Sequence, residues 1–257
     1  MDAIEQIARL WPASGKAIVL TGAGISVASG IPDFRSPGGL WSKYDPMEVA
    51  TVQALEHSPK NVWRFLLDAI SVMAHAKPNP AHAALARLER AGLVQGVITQ
   101  NIDGLHQAAG SQNVVEFHGS MARYHCHACG LAHDAAKALT LTADIIPWRC
   151  DACNGVVRPD IVFFGEAIPL DALEKSGQLA DAAGFMLVVG TSCEVAPASA
   201  LPRMVKQHGG VVAEINMQPS RLAGFFDFSL QGKAEAALAR LADTLLNEQA
   251  QRPDHNG

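Results

Sequence analysis

Two Cys-x-x-Cys pairs, Cys126 with Cys129 and Cys150 with Cys153, stand with 20 residues between them. That spacing suits one tetrahedral zinc ion held by four thiolates. Each pair lies in a turn, CHACG and CDACNG, whose glycine lets the chain fold back so that two sulfurs reach one ion. A redox pair, or four incidental buried thiols, are the competing readings of the same residues. Four protein ligands leave no position for water, so such a site holds the chain together rather than performing a reaction. His125 and His127 flank the first pair, but two complete pairs make a histidine ligand unnecessary. Cys193 lies far from the cluster and reads as a small packed side chain.

A second kind of chemistry gathers in polar turns that follow apolar runs. KAIVLTGAGISVASGIPDFRS places Gly22 and Gly24 directly after a buried strand, where backbone amides can approach a pyrophosphate. The third glycine of a dinucleotide fingerprint would fall at Val27, and no acidic residue closes a second strand about 20 positions on, which disfavours an ordinary nicotinamide dehydrogenase. Asp33, Phe34 and Arg35 then cluster acid, aromatic and base in one turn. After Thr99 come Gln100, Asn101, Asp103 and His106, more polar side chains than a turn needs, although Asn and Asp also serve turns by bonding their own backbone. His118 stands between a short apolar strand and Gly119, a place where a neutral imidazole can act as general base. His57, His75, His82 and His208 read as helix or surface residues.

These turns need strands to hold them. Ala17–Leu20, Val94–Thr99, Ile161–Phe164, Phe185–Val189 and Val211–Ile215 are near-continuous apolar runs, the signature of parallel strands covered on both faces. Between them, Asn61–His75 carries an apolar stripe at 3, 4 and 7 spacing, Asn79 and Pro80 form a cap and first turn for Ala81–Ala91, and Gly232–Ala250 reads as a closing helix. The alternation predicts an α/β fold, a doubly wound parallel-sheet (Rossmann-like) large domain, with ligands at the carboxyl ends of the strands. It is expected to occupy 1–35, 78–122 and 158–257, with a helical insert at 36–77 and a zinc-binding module, poor in strand pattern, at 123–157.

The 257 residues are 49% hydrophobic with a formal charge of -5, which fits a folded protein and disfavours a general nucleic-acid binder. The first residues show no basic region followed by an apolar one, and glycine or polar residues interrupt every apolar run before it could span a bilayer. A cytoplasmic location is therefore expected, where thiols favour metal over disulfides.

GAGISVASGIPDFRS, TQNIDGLH, EFHG, the two CxxC pairs, RPDIVFFGE, GTSCEVAPA and EIN, in this order from about Lys16 to the C-terminal helix, resemble the sirtuin family of NAD-dependent protein-lysine deacylases, in its bacterial type with a minimal catalytic core. The resemblance implies a cofactor loop at Gly22, Ala23, Gly24, Ile25, Asp33, Phe34 and Arg35, with Arg35 beside the phosphates and Phe34 shielding the reacting ribose. Gln100, Asn101 and Asp103 match the ribose and nicotinamide pocket, Asp103 holding the carboxamide. His118 matches the catalytic base, with Asn101 as a second catalytic residue. Gly190, Thr191, Ser192 and Asn216 match the adenosine side, and Lys233 and Ala234 the cover over adenine. Val162, Phe164, Gly165, Glu166 and Val195 match the acyl-lysine tunnel and the two segments that clasp the substrate backbone by added-strand hydrogen bonds.

In the family's reaction the acyl group passes to the ribose of NAD as nicotinamide leaves, giving free lysine and an acylated ADP-ribose. Zinc takes no part, in keeping with a closed four-thiolate site at Cys126, Cys129, Cys150 and Cys153. Members that prefer succinyl or malonyl groups carry a Tyr-x-x-Arg pair that this chain lacks: Tyr44 is followed by Met47 and Tyr124 by His127. Neutral acyl groups, acetyl first, are thus expected. The implied partners are acyl-lysine proteins or peptides, with no nucleic acid and no membrane, and the chain itself is expected to be a monomer. Protein mono-ADP-ribosyltransfer and a non-catalytic NAD-sensing module are the alternatives.

Overall fold

The computed structural model describes residues 2–11, 16–33, 39 and 42–251. Among them, strands β1 (Ala17–Thr21), β2 (Gly96–Thr99), β3 (Val114–Glu116), β7 (Phe185–Val189), β8 (Val211–Asn216) and β9 (Phe228–Gln231) form one sheet in the order β3-β2-β1-β7-β8-β9. Every pairing in it is parallel. Counted along this sheet alone the order is 3-2-1-4-5-6, that of a doubly wound dinucleotide fold, and it reverses between β1 and β7. The expected fold class is the one observed. The strand at Phe228–Gln231 has no counterpart in the expected set, because it lies at the edge, half exposed, and carries Ser229 and Gln231 among its four residues.

Both faces of the sheet are covered, which is why its central strands read as unbroken apolar runs. On one face Val19, Val97, Leu187 and Ile215 pack against α1 (Ala3–Leu10), α5 (Pro80–Arg90) and α9 (Ala234–Ala250) through Ile7, Leu85, Leu88, Leu238 and Leu241. On the other, Ile18, Leu20, Met186 and Val188 meet Ala180 of α7 (Leu170–Ala182) and Val205 of α8 (Leu201–Gln207). Asn79 caps α5 as its sequence suggests, its side chain accepting from the Ala81 amide at 2.8 Å.

The Ile161–Phe164 run does not join this sheet. The strand there is β6 (Val157–Ile161), antiparallel to β4 (Gly119–Cys126), which also pairs with β5 (Ala132–His133). Pro159 sits in β6 beside a register break between Ser120 and Tyr124, the kind of place where a strand tolerates proline. The module expected to be poor in strands thus carries a small sheet. Its core is shared with the helical insert: Val62, Trp63 and Leu66 of α4 (Pro59–Met73) pack with Tyr124, Trp148 and Val157, and Trp63 Nε1 donates to the Val157 carbonyl at 2.9 Å. Among the described residues no helix is long and apolar enough to cross a membrane.

Candidate functional site

Where the strand order reverses, a cleft of about 1330 Å³ opens at the carboxyl ends of β1 and β7. Gly22, Gly24 and Gly190 interlock at its base. A Cβ on Gly190, whose φ is +64, would come 2.4 Å from the Ile25 nitrogen, and one on Gly24 would come 2.7 Å from Gly190 Cα. The amides of Gly22 and Gly24 donate to the Val189 and Gly190 carbonyls. The glycines are therefore required by the approach of two loops to each other, and both amides are spent inside the protein rather than held open for a pyrophosphate.

The floor is a network of polar side chains from separate parts of the chain. Asn101, 8% exposed, donates from Nδ2 to the Gly22 carbonyl at 3.2 Å and to Ser26 Oγ at 3.1 Å. The Ser26 hydroxyl donates to Asp103 Oδ2 at 2.7 Å, and the other carboxylate oxygen accepts from the Leu105 amide. Gln100 Nε2 donates to Thr191 Oγ1 at 2.9 Å, tying the β2 and β7 sides together. His82, read as a helix or surface residue, is instead fully buried beneath this floor. Its Nδ1 accepts from the Asn79 amide, which leaves Nε2–H to face Ser26 Oγ at 3.4 Å. Burial, outweighing the nearby Asp103 charge, pushes its pKa down to about 4. His106 beside it, ring centres 4.9 Å apart, is pushed to about 3 by burial and by His82. Its Nε2 meets Thr21 Oγ1 at 2.9 Å, and Thr21 donates on to Thr99. Both imidazoles are neutral at physiological pH.

His118 follows β3 and precedes β4, so it hangs between the large sheet and the small one. Its Nδ1 donates to the Gln100 carbonyl at 3.1 Å, which makes Nε2 the lone-pair nitrogen. Burial lowers its pKa, against the opposing effect of that hydrogen bond. Gly119 is needed beside it, since φ is +76 and a Cβ would lie 2.0 Å from the Asp160 carbonyl oxygen. The close approach lets the Val162 amide donate to the His118 carbonyl at 2.9 Å, and the Phe164 amide donates to Ala50.

The cleft gathers Gly22, Ala23, Gly24, Asp33, Gln100, Asn101, Asp103 and His118 with Val162, Phe164, Gly165, Glu166, Gly190, Thr191, Ser192, Val195, Asn216, Lys233 and Ala234. Ile25 is the exception, its side chain buried in the core under the sheet face. Phe34 and Arg35 lie outside the described residues. Asn216 donates from Nδ2 to the Thr191 carbonyl and to Glu214, and Lys233 and Ala234 open α9 at the rim. Phe163, which sequence reasoning left out, also lines the cleft and is 3% exposed, whereas Phe164 is 43% exposed. Ser26 and His82 were missed as well. The legible trace of His82 is its place three residues after the Asn79 cap, where its side chain answers the cap amide.

Away from the cleft, the sulfurs of Cys126, Cys129, Cys150 and Cys153 all lie within 4.8 Å of one another, with Cys126 to Cys153 at 3.4 Å and Cys129 to Cys150 at 3.8 Å. A tetrahedron of thiolates around zinc, with bonds of about 2.3 Å, needs sulfurs roughly 3.8 Å apart. A Cβ on Gly155 would come 2.9 Å from Cys126 Sγ, so the glycine leaves room for the sulfurs. The four residues suit one structural zinc ion.

The Sir2 family model matches residues 22–197. The NAD-dependent protein deacylase of Pyrococcus furiosus is 44% identical over 245 residues, covering 94% of this chain and 98% of that protein. The NAD-dependent protein deacylase 2 of Pyrobaculum aerophilum is 45% identical over 237 residues, 92% of this chain and 94% of the relative. Among solved structures, a Sir2 homologue variant in complex with ADP-ribose superposes with a TM-score of 0.93 at 37% identity, covering 99% and 100% of the two chains. A Sir2 homologue bound to NAD superposes at 0.89 with 38% identity, over 96% and 95%. The chain belongs to the Sir2 family, the sirtuins.

Proposed function

We propose that this chain is an NAD-dependent protein-lysine deacylase that releases nicotinamide, free lysine and an O-acyl-ADP-ribose. The observation that carries the reading is His118: a neutral imidazole whose Nδ1 is committed to a carbonyl, in one cleft with Asn101, Asp103 and the Val162–Glu166 segment. Bound there, NAD supplies an electrophilic ribose carbon with a leaving group.

The protein's own part is to bind, orient and exclude water. Asp103 and Asn101, linked through Ser26, would with Gln100 hold the nicotinamide and ribose end; Gly190, Thr191, Ser192, Asn216, Lys233 and Ala234 would hold the adenosine end. Gly22, Ala23, Gly24 and Asp33 would shape the phosphate passage, and Ile25, its side chain in the core, would support that loop from behind. Val162, Phe164, Gly165 and Val195 form the substrate clasp, and Phe163 helps keep the reacting centre dry. His118 Nε2, which carries the free lone pair, would take a proton from a ribose hydroxyl of the bound cofactor and so make that oxygen a nucleophile toward the acyl group. Among the described lining residues Arg221 and Lys233 are the cations, and neither is on the clasp, which supports neutral acyl groups, acetyl first.

Zinc at Cys126, Cys129, Cys150 and Cys153 holds the module 123–157, with the large domain at 1–35, 78–122 and 158–257 and the helical insert at 36–77. The substrates are acyl-lysine proteins or peptides, met in the cytoplasm by a monomer, with no nucleic acid involved.

The test is mass-spectrometric, with an acetyl-lysine peptide incubated with and without NAD. Loss of acetyl together with acetylated ADP-ribose, only when NAD is present, is expected. ADP-ribose attached to protein instead would favour mono-ADP-ribosyltransfer. NAD binding without nicotinamide release would favour a sensing module.

A further inference from the structure

The segment 161–166 lines the cleft wall, and one buried side chain holds it from behind. Arg158 on β6 is 4% exposed. Its Nη1 donates to Glu166 Oε1, and its Nη2 donates to the Ile161 carbonyl and, at 2.8 Å, to Glu166 Oε2. Nε donates to the Pro159 carbonyl at 3.2 Å, and the guanidinium carbon lies 4.4 Å from the centre of the Phe163 ring. Glu166 Oε2 also accepts from the Phe163 amide at 2.8 Å. The start, middle and end of the segment therefore meet at one guanidinium.

Resting on the deacylase reading, we propose that Arg158 is a positioning residue for the acyl-lysine substrate: its planar fork sets the shape of the 161–166 clasp, and the Glu166 carboxylate serves as its counter-ion rather than as a contact to substrate. Burying a cation here is unfavourable unless every bond is made, and an apolar side chain of similar volume would fill the space at less cost. What the ion pair adds is geometry, since a guanidinium fixes two carboxylate oxygens and two carbonyls in one plane. A lysine ammonium in the same place is a point charge and cannot do so. The segment needs such a brace because it turns sharply at Gly165, φ +91, and leaves Phe164 43% exposed at the cleft mouth.

The test compares the full-length wild type with Arg158→Lys and with the double variant Arg158→Met, Glu166→Met. The double variant removes both charges together, because a single loss strands the partner and endangers the fold. Fluorescence polarisation with a labelled acetyl-lysine peptide gives peptide affinity without turnover, and steady-state kinetics separate KM for peptide, KM for NAD and kcat. Peptide Kd and KM should rise about tenfold in both variants, with kcat and KM for NAD changed less than about twofold. Unchanged peptide affinity in either folded variant overturns the proposal, as does a loss shared equally by KM for NAD and kcat. A wild type that binds no acetyl-lysine peptide overturns the deacylase reading itself, and the proposal with it.

Discussion

The cysteine cluster and the cofactor cleft are built on opposite plans. Four thiolates come from two turns joined by one small sheet, and all of them serve one ion. The cleft draws Ser26, Asn101, His118, Val162, Thr191 and Asn216 from loops and a strand end spread along nearly 200 residues, and a parallel sheet brings them together. The first plan makes each residue a partner in stability. The second lets a residue be spent on chemistry while the sheet keeps the fold.

That contrast can be broken or sharpened experimentally. Cys150→Ala should produce the largest effect on folding: zinc lost from the purified protein and a much lower melting temperature, because metal binding in such modules is part of the folding free energy. Retained zinc with an unchanged melt would erase the distinction. His118→Ala should leave zinc content and melting unaltered yet lower kcat by roughly 10²–10⁴-fold, the range for a lost general base. An appreciable fall in melting temperature would mean that the cleft, too, is built for stability.

Gly190→Ala tests the boundary between the plans. The added Cβ meets backbone that cannot move aside, and a loss of about 2 kcal/mol or more in denaturant unfolding is expected. Acid should act on both properties. His82 and His106 are buried neutral with pKa values held below the ordinary 6.5, so the unfolded chain binds more protons and stability falls as pH drops below 6.5 toward 4. The pKa of His118 is lowered too, by burial, so the midpoint of the acid-side fall in kcat/KM should lie below 6.5. A decline centred above 6.5 would contradict the buried, lone-pair imidazole. Last is Asn79→Ala, about 1–2 kcal/mol, because the side chain both caps α5 and donates to the buried Ile25 carbonyl.

Much of this was legible in the sequence where the signal is local. The CxxC spacing, the Asn79–Pro80 cap and the glycines at tight turns all state their geometry within a few residues. The reason for Gly22 and Gly24 was not legible, because their neighbour Gly190 lies far along the chain. His82 was hidden likewise, its partner Ser26 being 56 residues away. The Ile161–Phe164 run misled because its apolar character belongs to the cleft wall, while the true strand just before it contains Arg158 and Pro159, residues that disguise a strand.

The hydrogen bond from Trp63 to the Val157 carbonyl joins a helix to the strand that leads out of the cysteine cluster. Two segments that are distant in sequence should therefore behave as a single cooperative unit in native-state hydrogen exchange. On zinc removal, the amide protons of α4 should lose protection in step with those of β4 and β6, while β1, β7 and β8 keep theirs.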